Sequence, residues 1–296
     1  MSLIQLLQNQ AVTLAAVCGL VGLIVGSFLN VVVHRLPKML ERDWDGQAVD
    51  LLEQKNLPDV AKKLRAADAG RYNLMTPAST CPHCGHKIRA HENIPIASYV
   101  FLRGCCSSCK APISIRYPIV EAISGILAGY IGWRFGLTLA MAGGLIFAWA
   151  LIALPAIDID TQLLPDDITL PLLWLGLLVN LNNGFAPLSS AVIGAVAGYL
   201  SLWAVYWLFK LTTGKEGMGF GDFKLLSAIG AWLGWKMLPV VILLSSLVGA
   251  IVGIALIVFA RHGRNTPIPF GPYLAAAGLI AMFWGETINR TYLQMF

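Results

Sequence analysis

The sequence predicts an all-α polytopic membrane protein with about eight transmembrane helices and one long polar insert on the cytoplasmic side. Three observations carry that expectation. Charged residues are only 12% of the chain and hydrophobic ones 57%, whereas soluble domains carry about 25% charged residues. Apolar runs able to cross a bilayer, which needs about 20 residues, lie near 11–33, 117–134, 137–157, 168–183, 188–209, 222–237, 238–260 and 269–286. The basic residues are unevenly placed between these runs. With residues 1–10 outside, the loops 34–116, 158–167, 210–221 and 261–268, together with Lys224, put 18 of the 21 Lys and Arg residues on the cytoplasmic side. That is the asymmetry that orients membrane bundles. The net charge of +5 then answers to anionic lipid and gives no argument for a nucleic-acid partner.

The 296 residues divide at the polar insert: 1–33 as a first transmembrane helix, 34–116 as the cytoplasmic insert and 117–296 as the remaining bundle. The amino terminus, "MSLIQLLQNQ", has no Lys or Arg ahead of its apolar run. Cleaved signals normally begin with positive charge, so the first run reads as a permanent anchor. Gly22/Gly26, Gly125/Gly129, Gly194/Gly198, Gly230/Gly234 and Gly249/Gly253 stand at GxxxG spacing, which lets membrane helices approach closely. Cys18, inside the first run, reads as a buried inert thiol. The fourth run is short, and the sixth opens with Asp222 and Lys224.

The insert has two parts. Residues 41–70 are charged and compatible with helix apart from Pro58, either as a surface hairpin or as a mobile segment. The second part, "CPHCGHKIRAHENIPIASYVFLRGCCSSCK", holds Cys81 and Cys84 in one CxxC and Cys106 and Cys109 in another, 21 residues apart. Two such knuckles can hold one tetrahedral Zn²⁺ through four thiolates, and a reducing cytoplasm favours metal over disulfide. The insert is therefore expected to be zinc-ribbon-like, the metal structural because a closed site leaves no open position. Cys105 could replace Cys106 only by changing the spacing to CxxxC. His83, His86 and His91 are further possible ligands.

The remaining chemistry is acidic. "GMGFGDFKLLSAIGAWLG" sets Asp222 behind three glycines at the threshold of an apolar run, where an ionised Asp costs roughly 2.5–3.5 kcal/mol at the helix centre. A second cluster, "AIDIDTQLLPDDITLP", lies where the third run leaves the membrane on the same side. Asp158 follows the apolar run directly, Asp160 lies across the helix from it, and Asp166 and Asp167 suit the acidic first turn of the fourth helix. Two carboxylates at one depth can share a proton, one activating water while the other polarises a peptide carbonyl. That is aspartic proteolysis. Gly219 and Gly221 would let backbone or an extended substrate approach. Intramembrane acids also serve proton-coupled transporters, and a non-catalytic membrane scaffold is the third reading.

The blocks "GSFLNVVVHRLP", "CPHCG…ENIPIASY", "CCSSCKAPISIRYPIVE", "IDIDTQLLPDDITLPLLWLGLLVN" and "GMGFGDFKLLSAIGAWLG" resemble, in order, those of the type IV prepilin peptidases, GxGD intramembrane aspartyl proteases. The resemblance covers most of the chain; the doublet at 105–106 and the segment 41–70 depart from it. It implies a bacterial cytoplasmic-membrane enzyme, N-terminus periplasmic, that removes the leader from prepilins and pseudopilins on the cytoplasmic face. It further implies methylation of the new amino terminus from S-adenosylmethionine, since four-cysteine members are usually bifunctional. The resemblance places the catalytic pair on Asp158 and Asp222, with Asp160 in reserve. It places the methyl-donor site around Glu92, Asn93 and Arg103, where Glu92 either bonds the donor's ribose or the substrate amine, or pairs with Arg89 or Arg103. Glu121 is expected to orient Arg116 or the bundle.

Overall fold

The computed structural model describes residues 10–55, 57, 61–62, 72–259 and 268–294. Among them the chain is helical: α1 (Ala11–Gln54), α2 (Ala97–Phe101), α3 (Arg116–Phe135), α4 (Leu139–Thr161), α5 (Asp166–Asn180), α6 (Leu188–Thr213), α7 (Phe220–Leu233), α8 (Leu238–Phe259) and α9 (Gly271–Leu293). The only extended pairings among the described residues are two isolated antiparallel bridges, Thr80 with Lys87 and Cys105 with Pro112. Among the described residues, four helical stretches are long and apolar enough to cross a membrane: Ala11–Gln54, Leu139–Thr161, Leu188–Thr213 and Trp235–Leu256.

Two compact units result, Leu20–Ile126 and Met1–Gly19 with Leu127–Phe296. In the first, α1 does not stop where its apolar run ends near residue 33 but continues through Pro37 to Gln54. A tertiary contact accounts for the extension. Buried Arg35 donates to the carbonyls of Asn73 (2.9 Å) and Pro77 (2.7 Å), and the Arg42 guanidinium lies 4.3 Å from the Tyr72 ring centroid. The 41–70 segment is thus helix up to Gln54, while most of residues 56–71 lie outside the described residues.

In the second unit α7 is the core. Asp222, Phe223 and the run Leu225 to Leu233 are all buried, around Phe147 and Leu151 of α4 and Leu274 of α9. Its 14 residues span about 21 Å at 1.5 Å each, short of a hydrocarbon core of about 30 Å. The chain then turns at Gly234 (φ 79°) through a 3-10 turn, Trp235–Met237, into α8. Glycines bring α6 against α7: a Cβ on Gly194 would strike the Gly230 carbonyl, and one on Gly230 the carbonyl of Gly194. Asn180, fully buried, satisfies all its polar atoms. It donates to the carbonyls of Ala231 and Trp232 and accepts from the amides of Phe185 and Ala186. The Trp232 indole N–H donates to Leu172 O at 2.7 Å. These bonds fix α7 to α5 at the end opposite Asp222. Cys18 is buried as expected, its sulfur 3.9 Å from that of Met141.

Candidate active site

Three helix ends meet at a cavity of about 430 Å³, lined by Asp158, Leu164, Gly219, Gly221, Asp222 and Phe270 among others. Asp158 sits in the last turn of α4, which closes on Gln162 in the left-handed conformation (φ 56°). Asp222 sits in the first turn of α7, behind the N-cap Gly219. Both aspartates are buried, and both line this one cavity.

The glycines preceding Asp222 play different parts. A Cβ on Gly221 would lie 2.7 Å from Leu164 Cβ, so this glycine lets the first turn of α7 close on the loop leaving α4. Gly219 meets little; an added Cβ would find Asp222 Oδ2 at 3.9 Å and faces the cavity that this residue lines. Asp222 Oδ1 is buried without a hydrogen-bond partner among the described residues, an arrangement that costs free energy unless another group meets it. Asp158 differs: its Oδ2 accepts the amide of Gly271, the first residue of α9, at 3.0 Å. Two buried carboxylates in one cavity can divide a proton between them, one acting as base on a water and the other as acid.

Of the other acids, Asp166 and Glu216 also line the cavity, with Lys224. Asp160 is exposed and is not among the residues lining the cavity. Asp166 begins α5 and takes both oxygens to Lys224 Nζ at 2.7 Å, a partly exposed pair that contributes little to stability. Gly271 and Leu164 escaped the sequence reading. The only signal was "FGPYLA", a glycine and proline opening the last apolar run, which marks a helix start without revealing what the glycine faces.

In the unit Leu20–Ile126, Cys81, Cys84, Cys106 and Cys109 bring their sulfurs within 4.8 Å of one another, a cluster that could hold a metal ion. The two knuckles repeat one another. Cys81 N–H donates to His86 O and Gly85 N–H to Cys81 O; Cys106 N–H donates to Ala111 O and Lys110 N–H to Cys106 O. In this register Cys105 corresponds to Thr80, each in its β-bridge, and Cys106 corresponds to Cys81. The amides of His83 and Cys84 push the Cys81 thiol down to about 7, and those of Cys109 and Ser108 lower Cys106. Despite the Ala111 amide, desolvation and the neighbouring thiols push Cys109 up to about 11. What suits an ion is therefore the mutual closeness of the four sulfurs, which bind metal as thiolates.

Beside the knuckles lies a second cavity of about 550 Å³. Glu92 and Asn93 line it, with His34, Tyr99 and Glu121; Arg103, exposed and in the left-handed region at φ 53°, is not among its lining residues. Glu92 Oε2 accepts the Arg89 amide at 2.8 Å and lies 3.1 Å from His86 Nε2. The Arg89 amide, Ser107 and His86 hold its carboxyl down to about 2. Buried Glu121 accepts the amide of Ile96 at 2.7 Å. Ile96, with φ 58°, has a conformation that branched side chains rarely adopt, so Glu121 anchors a strained turn.

Comparison with known proteins identifies the family. Residues 20–135 match the family described as the bacterial peptidase A24 N-terminal domain, and residues 145–254 match the type IV leader peptidase family. A curated prepilin leader peptidase/N-methyltransferase of Stutzerimonas stutzeri is 56% identical over 94% of this chain and 93% of its own length. The chain belongs to the type IV leader peptidase family. Proteins of the same name from Pseudomonas aeruginosa (57% identical, covering 93% of this chain and 92% of the relative) and Aeromonas hydrophila (55%, covering 94% and 93%) agree. No solved structure matches the chain. The first family region contains both knuckles and the second contains Asp158 and Asp222.

Proposed function

We propose that this chain is a membrane aspartyl endopeptidase that removes the leader peptide from type IV prepilins and pseudopilins and then N-methylates the exposed residue. The observation that carries it is the burial of Asp158 and Asp222, from two helix ends, in one cavity of a chain 56% identical to a prepilin leader peptidase/N-methyltransferase. The transporter reading gains no support from these relatives.

In the proposed reaction one aspartate removes a proton from water as that water attacks the scissile carbonyl. The other gives its proton to the carbonyl oxygen. The tetrahedral intermediate then collapses, the C–N bond breaks, and a proton passes to the leaving amine. Gly219 leaves room at the cavity's lip for an extended strand. The exposed position of Asp160 supports Asp158 as the first catalytic aspartate.

The eight spans expected from the sequence, α1 and α3–α9, are proposed to form one bundle in the bacterial cytoplasmic membrane, the short α5 and α7 enclosed by their neighbours without reaching both faces. The amino terminus is then periplasmic and both cavities are served from the cytoplasmic side. The uneven Lys and Arg distribution supports this. Cys81, Cys84, Cys106 and Cys109 are proposed to bind one structural Zn²⁺ that folds the knuckles. Glu92 and Asn93 are proposed to receive S-adenosylmethionine in the second cavity, with Arg103 at its approach; the bound donor supplies the methyl group. Glu92, ionised at neutral pH, has the charge to take ribose hydroxyls or the new amine.

The test is to incubate purified protein with a prepilin-like peptide and S-adenosylmethionine and weigh the products. A shortened peptide followed by one added methyl mass is expected. An unaltered peptide would remove the proposal.

A further inference from the structure

We infer that Gly271 is a positioning residue for leader cleavage, its amide holding the Asp158 carboxylate in place and its missing side chain giving that carboxylate room. The inference rests on the reading of Asp158 as a catalytic aspartate. It begins with the backbone donors at the start of α9. Tyr273 and Leu274 donate their amides to Phe270 O at 3.1 and 3.2 Å. Pro272 has no N–H. The Gly271 amide is therefore the one donor of this turn that leaves the helix, and it goes to Asp158 Oδ2 at 3.0 Å in a buried setting.

Glycine is explained here by space. Gly271 is not among the glycines with positive φ, so an alanine could follow the same backbone. Its Cβ, however, would lie 2.6 Å from Asp158 Oδ2, 3.2 Å from Asp158 Cγ and 3.2 Å from Leu164 Cδ2. Carbon does not approach oxygen that closely, so the carboxylate would have to move. Leu164 also lies against Gly221 of the Asp222 turn, where an added Cβ would come within 2.7 Å of its Cβ, which limits its freedom to yield.

The proline adds selectivity. A carboxylate at a helix start usually meets more than one free amide. Pro272 withholds the next donor, so α9 fixes Asp158 through a single oxygen. That fixes the rotamer while leaving the other oxygen outside this turn's hydrogen bonding, as a group that must accept a proton from water requires.

Two variants of the full-length protein in lipid test this, with Asp158→Asn run beside them. Gly271→Ala displaces the carboxylate. Replacing Gly271 by glycolate turns the 270–271 amide into an ester, deleting the donor without adding bulk. Cleavage of a prepilin-like peptide is followed as kcat and KM, and methylation of a pre-cleaved peptide serves as a second readout. For Gly271→Ala, kcat should fall about a hundredfold, and for the ester about tenfold or more, with KM and methylation unchanged. An ester variant with unaltered kcat would overturn the inference, as would a fall in kcat matched by an equal fall in methylation. Full cleavage by Asp158→Asn would instead remove the reading of Asp158 on which this rests.

Discussion

The two cavities are built by opposite means. The aspartate cavity rests on a helix buried on every side, and its polar groups are placed by packing: Gly194 against Gly230, Gly221 against Leu164, Gly271 against Asp158. The cavity beside the knuckles rests on turns. Between Thr80 and Ile115 only Cys81 and Cys106 are buried, and its order depends on four thiols, repeated turn bonds and the Glu92 and Glu121 carboxylates. A hydrolytic site that must hold two carboxyl groups around one shared proton needs a rigid frame; the turn-built region, lacking a core, leans on cross-links that metal or carboxylate can supply.

Removing the cross-links should therefore break one region and spare the other. Cys84→Ser is expected to reduce bound zinc from one per chain to none and to abolish hydrogen-exchange protection across residues 80–113, because structural zinc supplies about 10–16 kcal/mol of apparent binding free energy in small peptides. Methylation should be lost while the kcat of leader cleavage stays within about tenfold. Equal loss of both would mean the two regions are not separable. The converse change is Gly194→Val, which pushes α6 from α7 and should cost at least about 1–3 kcal/mol, read as a lower unfolding midpoint. Leader cleavage should fall with it, and the zinc content proposed for the knuckles should be unchanged.

A smaller effect sharpens the turn-built side. The Glu92 carboxyl is held down to about 2 against an ordinary value of 4.5, so its ionised form stabilises the fold fully above pH 4.5. That contribution disappears as pH falls from 4.5 towards 2. Glu92→Gln should therefore lower the melting temperature at pH 6 and close the gap to the unsubstituted chain as pH approaches 2, in melts at fixed salt. The smallest effect belongs to Asp160→Asn, whose exposed side chain is not among the cavity's lining residues: the cleavage rate should remain within about twofold of the unsubstituted chain.

The residues that sequence exposed most readily were those whose chemistry contradicts their setting. Asp158 and Asp222 stand where apolar runs meet polar chain, and the paired CxxC spacing needs no fold to be noticed. The choice between Cys105 and Cys106 became visible only in the knuckle register, which pairs Cys105 with Pro112 as it pairs Thr80 with Lys87. Residues from 41 on are compatible with helix by composition, but their continuity with the first span is not legible, because hydrophobic periodicity stops near residue 33 and the contacts along the extension come from Tyr72, Asn73 and Pro77. For Glu121 the sequence offers Arg116 or the bundle as its object, and what it does not show is the amide 25 positions back that its carboxylate takes. Gly271 was invisible for the same reason: its meaning lies in a carboxylate 113 residues away.

The central claim is that Asp158 and Asp222 act together on one water. Its most direct test runs leader cleavage in ¹⁸O-labelled water with the unsubstituted chain, Asp158→Asn and Asp222→Asn, each held in the membrane. The unsubstituted chain should place one labelled oxygen in the new carboxyl terminus of the leader, and each variant should yield at least about a thousandfold less product while still methylating a pre-cleaved peptide. Cleavage by either variant at close to the full rate would contradict the account.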